Sequence, residues 1–238
     1  MNVIFARNSY NMIEMLIKSI DITFQTEGFW QGMPAVFVDC FGCSVGCEHC
    51  EEPKATKYQN LPVHKIHALV ELGMENFQMP FVVIGGGEPT DQSEEVMELI
   101  ELIKKKNKST EIQVETSAAG KTAKKFAGVS GLLANIWLTV SPVPHKEPSK
   151  TLIKRANELK LIVLDTEENL EFCRYFSCIA SPLSKLRYQP MHSKDVDFKK
   201  ALENSFHLAK EFGGRVSMQW RRFVELENLN LNKEMNNE

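Results

Sequence analysis

The feature that most constrains the fold is a repeated alternation of short apolar runs with amphipathic segments. Strand-like runs occur at Ser19–Phe24, Ala35–Phe41, Phe81–Ile84, Glu111–Glu115, Ile136–Val140, Leu159–Leu164 and Val216–Gln219. Helix-like segments lie between or after them at Val63–Phe77, Gln92–Lys106, Thr122–Ala127, Ser149–Ala156, Glu167–Tyr175 and Lys194–Phe212. Such alternation predicts an α/β fold with a mostly parallel sheet, open or partly closed. In sheets of this kind ligands bind beyond the C-terminal ends of the strands. The loops after Phe41, Ile84, Glu115 and Val140 are therefore where chemistry is expected.

Two helices are well marked. Val96, Leu99, Ile100 and Ile103 recur on one face of Gln92–Lys106, with Asp91 placed to cap the start. The last helix puts Phe198, Leu202, Phe206 and Ala209 on one side and is expected to stop at Gly213-Gly214. At 238 residues the chain fits a single domain, with about 1–17 as an N-terminal extension and about 226–238 as a tail. A net charge of −3 offers no basis for a nucleic-acid or membrane surface. No membrane-spanning run and no secretory leader are read, so a cytoplasmic, reducing location is expected. The six cysteines are then thiols or metal ligands rather than disulfides.

Four of those cysteines fall between Cys40 and Cys50, in Cys40-Phe-Gly-Cys43-Ser-Val-Gly-Cys47-Glu-His-Cys50. Thiolates in a glycine-bearing loop suit zinc or an iron–sulfur cluster. Three arrangements compete. A zinc site would use all four cysteines, but zinc modules space their ligand pairs a dozen or more residues apart. A fully ligated ferredoxin-type cluster has a different order of gaps and a proline after its last cysteine. The third uses Cys43, Cys47 and Cys50 alone, leaves one iron open for a ligand, and assigns Cys40 to the strand.

The run Phe81–Ile84 leads into Gly85-Gly86-Gly87-Glu88-Pro89. The order does not fit a phosphate-binding loop, no lysine follows, and Glu88 would repel a phosphate. A carboxylate among exposed carbonyls suits a cationic amine instead. Glu115-Thr116-Ser117 and Val140-Ser141-Pro142 each end a strand with small polar groups, which can bond hydroxyls or a carboxylate and equally can cap a helix or make a turn.

CxxxCxxC after an early strand, followed by Gly-Gly-Glu-Pro, resembles the radical S-adenosylmethionine superfamily. The resemblance implies a partial (β/α) barrel. It also implies a [4Fe–4S] cluster on Cys43, Cys47 and Cys50, and S-adenosylmethionine chelated to the open iron and cleaved to a 5′-deoxyadenosyl radical. On this resemblance the cofactor would lie against His49, Gly86, Gly87, Glu88, Thr116, Ser117, Ser141 and Gln189.

At the N-terminus, Asp21–Gly28 (with Gln25-Thr26-Glu27-Gly28) and Gly32–Val38 resemble the opening of the 7-carboxy-7-deazaguanine synthase family, and Arg215–Gln219 resembles its closing strand. The likeness runs from about residue 18 to 225. It implies a lyase that converts 6-carboxy-5,6,7,8-tetrahydropterin to 7-carboxy-7-deazaguanine with loss of ammonia, on the way to preQ0 and queuosine. It further implies a homodimer, a flavodoxin- or ferredoxin-type electron donor, and Mg²⁺ on the substrate carboxylate. Substrate contacts would come from Gln25, Glu27, Asp39, Thr90 and Arg221, with Glu52 a possible Mg²⁺ ligand.

Four positions depart from that family. Asp39 stands where it usually has arginine, Glu51-Glu52 where it has Asp-Thr, Val143 where it has lysine, and Arg221 where it has histidine. Lys146 or Arg221 is expected to restore the lost positive charge. Three other readings stay open: a radical enzyme diverged to another substrate, a glycyl-radical activase, and a cluster-binding regulator without catalysis.

Overall fold

The computed structural model describes residues 13–48, 50, 57–75, 78, 80–182 and 184–223. His49, Glu51 and Glu52, along with the ends assigned as extension and tail up to residue 12 and from 224, lie outside the described residues.

Nine strands form one sheet: β1 (Glu14–Phe24), β2 (Pro34–Cys40), β3 (Gln59–Pro62), β4 (Phe81–Gly86), β5 (Glu111–Thr116), β6 (Trp137–Val140), β7 (Glu158–Val163), β8 (Lys185–Pro190) and β9 (Arg215–Val216). Their spatial order is β3-β1-β2-β4-β5-β6-β7-β8-β9. β1 pairs antiparallel with β2 and β3, and every other pair is parallel. Among the described residues seven helices connect the strands: α1 (Val63–Met74), α2 (Ser93–Lys106), α3 (Ala123–Ala127), α4 (Ser130–Leu133), α5 (Lys150–Arg155), α6 (Glu167–Ile179) and α7 (Phe198–Phe212). The result is the expected mostly parallel partial barrel.

Strand periodicity divides the side chains between two environments. Val82, Ile84, Ile112, Val114, Leu138, Val140, Leu159 and Leu161 are fully buried on the helix side. Val96, Leu99, Ile100 and Ile103 of α2 meet them there, each fully buried, as their spacing predicts. Burial of each such side chain contributes about 1.5–3 kcal/mol. The opposite face is concave. Its lower part is apolar, with Ala35, Phe81 and Val83 packed against Trp30, Met33 and Phe37. Above this plug, towards the strand C-termini, the interior turns polar.

The loop after β1 bridges the open side of the sheet. Gly28 N donates to Ser217 Oγ (2.8 Å) and Phe29 N to Glu158 Oε2 (3.0 Å). Gln31 Nε2 donates to Met218 O (3.1 Å) and Trp220 N to Thr26 O (3.3 Å). Residues 25–31 thus act as a bolt between the first strands and the last.

Several expectations need correction. β8 was not foreseen, because its inward residues are Lys185, Arg187 and Gln189 and only Leu186 and Tyr188 mark the apolar face. β3 and α4 were also not foreseen, and the predicted strand Val216–Gln219 is only Arg215–Val216. In α7 the buried positions are Ala201, Ser205 and Leu208, whereas Phe206 is 60% exposed. Small residues face the sheet there, and the bulk is supplied from below by fully buried Tyr188, whose hydroxyl meets Ser177 Oγ at 2.7 Å. The predicted stop holds: Gly213 takes φ +75°, open to glycine at little cost, and its N–H closes on Ala209 O. Asp91 does not cap α2; the capping position is Gln92, without a side-chain bond.

Candidate active site

The cysteine loop begins where β2 ends. Cys40 is the last strand residue, 1% exposed, in the hydrophobic core on the helix side. Cys43 and Cys50 are exposed and Cys47 is half-buried. Burial pushes the Cys47 thiol up to about 11, with further contributions from the thiols of Cys43 and Cys50. The thiols of Cys43 and Cys50 thus lie near Cys47, while Cys40 is buried in the core. Among the described residues no three His, Cys, Asp or Glu side chains stand close enough to hold a single metal ion. Thiols exposed or half-buried on one short loop are the soft donors an iron–sulfur cluster takes, whereas Cys40 is closed off in the core.

Asp91 fastens this loop. Its carboxylate accepts from Ser44 N (2.7 Å), Ser44 Oγ (2.6 Å) and Lys121 N (2.6 Å). The glycine loop is bonded to the same segment, with Gly87 N on Cys40 O and Glu88 N on Gly42 O, both at 2.9 Å. A Cβ at position 87 would stand 2.1 Å from Gly42 O, so backbone contact requires glycine there. Two motifs far apart in sequence form one backbone cradle.

Glu88 is 2% exposed and joins this cradle to the end of β5. Its Oε1 accepts from Thr90 N (2.9 Å), Thr90 Oγ1 (2.6 Å) and Thr116 Oγ1 (2.5 Å). Its Oε2 accepts from Ser117 N (3.0 Å) and Ser117 Oγ (2.5 Å). The carboxylate expected to meet an amine is engaged by five protein donors, which leaves backbone carbonyls of the cradle to face a ligand. Thr90, expected beside the substrate, is fully buried in this network. Ser141 N donates to Thr116 O at 2.8 Å.

A second polar cluster fills the upper interior. Gln25 Nε2 donates to Gln113 Oε1 and Glu115 Oε1, both at 3.0 Å. Gln113 Nε2 donates to Glu115 Oε1 (2.9 Å) and Thr139 Oγ1 (3.0 Å). Lys160 Nζ lies 2.5 Å from Glu27 Oε1 and 3.6 Å from Glu115 Oε2. Gln189, expected on the cofactor side, instead donates through Nε2 to Glu27 Oε2 (2.6 Å), and Gln219 donates to the same oxygen (3.3 Å). Gln189 Oε1 and Glu158 Oε1 are buried without a hydrogen-bond partner among the described residues.

The charges are strongly coupled. Burial would raise Glu27, but Lys160 and the surrounding donors outweigh it and hold Glu27 below its ordinary 4.5. Burial raises Glu115 to about 7, with Lys160 opposing and Glu27 and Glu158 adding to it. Burial alone would lower Lys160; Glu115 and Glu27 overcome it and keep the ammonium charged. The site holds an ionised carboxylate, an ammonium and a carboxyl that titrates near neutrality.

The end of β5 belongs to both clusters: Glu115 faces the interior, and Thr116 and Ser117 face Glu88. Asp39 is half-buried, in register with Ser19 and Gly85 on the β2 edge of the same interior. Lys146 and Arg221 are exposed; the buried cation that pairs with Glu27 is Lys160. Glu115 and Lys160 lie in segments that match the resembled family but carried no role of their own from sequence, and Gln113 was not singled out. Their signal was a charge or amide alternating with apolar residues inside a buried strand, as in Glu158-Leu-Lys160-Leu-Ile.

Comparison with known proteins agrees with this geometry. Residues 38–128 match the family model of the radical SAM superfamily, covering the cysteine loop, Gly-Gly-Glu-Pro and the end of β5. Over that stretch the chain is similar to the radical S-adenosylmethionine superfamily. The chain is also similar to proteins named 7-carboxy-7-deazaguanine synthase. The one from Synechocystis is 32% identical over 144 residues, 60% of this chain and 62% of that one. Those from Aquifex aeolicus and Escherichia coli are 27% and 25% identical over 217 and 228 residues, each 86% of this chain and 91% and 95% of theirs. The crystal structure of QueE from Escherichia coli shares the fold, with a TM-score of 0.69 at 24% identity over 87% of this chain and 94% of that one.

Proposed function

We propose that the chain is a radical S-adenosylmethionine lyase of the 7-carboxy-7-deazaguanine synthase type, acting on 6-carboxy-5,6,7,8-tetrahydropterin. The observation that carries this is the junction at the end of β5. There the cradle below the three cysteines meets a buried set of amides and carboxylates suited to a nitrogen-rich heterocycle. Cys43, Cys47 and Cys50 would hold the [4Fe–4S] cluster, and the carbonyls of Gly86 and Gly87 would face the amine of S-adenosylmethionine. When bound, that pair supplies one-electron cleavage of the sulfonium and so a group that abstracts hydrogen.

The chain's own residues bind and orient. Glu27, kept ionised by Lys160, accepts hydrogen bonds only, and fits the amino and ring N–H edge of a pterin. Gln25 and Gln189 fix its geometry; they are buried with Gln113 and Lys160, while Glu27 and Glu115 stay partly exposed. Lys160 offers an ammonium to an anionic or carbonyl oxygen. Glu115, near neutrality in its titration, can hold or release a proton beside the substrate. A flavodoxin- or ferredoxin-type electron donor and a homodimer belong to the same reading. Glu52, which would hold Mg²⁺, lies outside the described residues.

The test is anaerobic reconstitution with dithionite, S-adenosylmethionine and 6-carboxytetrahydropterin, followed by mass spectrometry. Both 5′-deoxyadenosine and 7-carboxy-7-deazaguanine are expected, and neither from Cys47→Ala. Deoxyadenosine without the deazaguanine would sink the substrate assignment. It would favour a diverged substrate, the reading to which Asp39 on the interior wall points.

A further inference from the structure

We propose that the closed end of the barrel carries a second site, for an oxyanion of the phosphate class, held by Arg187 and Arg215 with Lys185 beside them. A cleft of about 490 Å³ opens at the N-terminal ends of β8 and β9, at the other end of the strands from the cysteine loop. Its volume lies within the range of small-molecule sites. Its lining includes Lys185, Arg187 and Arg215 with Ser181 and Ser184, and contains no aspartate or glutamate. An all-cationic lining in a chain of net charge −3 needs a cause.

The strand register supplies one. Lys160, Arg187 and Arg215 stand directly opposite one another on β7, β8 and β9, on one face of the sheet. Neighbouring strands are about 4.8 Å apart, and like charges placed opposite are destabilising. Lys160 is neutralised by Glu27 and Glu115. Arg187 and Arg215 are not: among the described residues neither has a carboxylate within ion-pair distance. Arg187 is only 6% exposed and makes a single hydrogen bond, from Nη1 to Leu186 O at 3.0 Å. The groups facing it are Glu158, which attracts it from beyond ion-pair distance, and Arg215, which repels it.

Helix dipoles do not remove the surplus. α6 ends at Ile179 and α7 at Phe212, both beside the cleft. Each C-terminus is worth about half a negative charge, so the two offset about one of three cations. The Phe29 ring lies 5.6 Å from the Arg187 guanidinium and steadies its plane. A guanidinium fork presents paired donors that match a tetrahedral oxyanion. Phe29 also donates its N–H to Glu158 and sits two residues from Glu27, so an occupant would touch the bolt loop of the active site.

The experiment is titration calorimetry on the full chain in phosphate-free buffer, with inorganic phosphate, pyrophosphate and citrate. Saturable one-to-one binding of phosphate or pyrophosphate is expected. Arg187→Gln and Arg215→Gln should each weaken it about tenfold or more, the size of one charge-assisted bond, and Lys210→Gln on the exposed face of α7 should not. Arg215 is exposed, so Arg215→Gln decides the matter should Arg187→Gln not fold. Tighter binding of pyrophosphate than of phosphate assigns the site to a phosphate-bearing molecule; equal binding assigns it to a single phosphate group. No saturable binding at millimolar concentration, binding of citrate in place of phosphate, or phosphate binding indifferent to both arginines overturns the proposal.

Discussion

The two halves of the active site are built on opposite plans. The cofactor half is local: a cysteine loop of eight residues from Cys43 to Cys50 and a glycine loop, joined by two backbone bonds and fastened by Asp91. The half proposed to bind substrate is dispersed: Gln25, Glu27, Gln113, Glu115, Lys160 and Gln189 come from the bolt loop and three different strands. Glycine geometry and thiol spacing govern the first half. Burial and charge coupling govern the second. The first half should therefore respond to substitution mainly through metal content, and the second mainly through stability and pH.

The largest effect is expected from Cys47→Ala. It should abolish iron retention and S-adenosylmethionine cleavage while leaving the unfolding transition of the metal-free chain within about 1 kcal/mol, as at a half-exposed site. Loss of fold with loss of iron would break the contrast.

Next is Lys160→Met, which leaves Glu27 and Glu115 buried without their cation. A loss of about 3–5 kcal/mol is expected in denaturant unfolding. An effect below 1 kcal/mol would show that the interior is wetter than its burial indicates.

Glu115→Gln tests the same coupling through pH. Folded Glu115 keeps its proton up to about 7, against 4.5 ordinarily. Its contribution to stability is fully present below 4.5 and is lost as pH rises through about 7. The variant, which cannot ionise, should gain relative to the parent across that window, by about 1–3 kcal/mol. A stability difference that is flat between pH 5 and pH 8 would remove Glu115 from the list of groups titrating near neutrality.

The smallest effect belongs to Asp91→Ala. Untying Ser44 and Lys121 should reduce cluster affinity by about tenfold, the usual size for a group that supports a metal-binding loop from outside. Iron retention during dialysis against a chelator would measure it.

The contrast also explains what was legible in the sequence. CxxxCxxC and Gly-Gly-Glu-Pro could be read directly, because each motif fixes its own backbone. The α2 stripe and the stop at Gly213 could be read for the same local reason. The interior set could be read only in part. Gln25 and Glu27 were visible through resemblance, but Glu115 and Lys160 acquire meaning only when the sheet brings β5 and β7 to the bolt loop. β8 was missed because its inward face is polar and only Leu186 and Tyr188 mark the apolar one, two positions being too few to set a period. Asp91 misled because its position suited a helix cap, and the tertiary structure recruited it for the cysteine loop instead.

The most direct test of the account is Glu27→Gln, which keeps the shape of the side chain and removes its charge. Iron content, S-adenosylmethionine binding and 6-carboxytetrahydropterin binding would be measured side by side on the reconstituted protein. Unchanged iron and S-adenosylmethionine binding with pterin binding lost is the predicted result. Pterin binding equal to that of the parent would contradict the assignment of the buried cluster as the substrate half of the site.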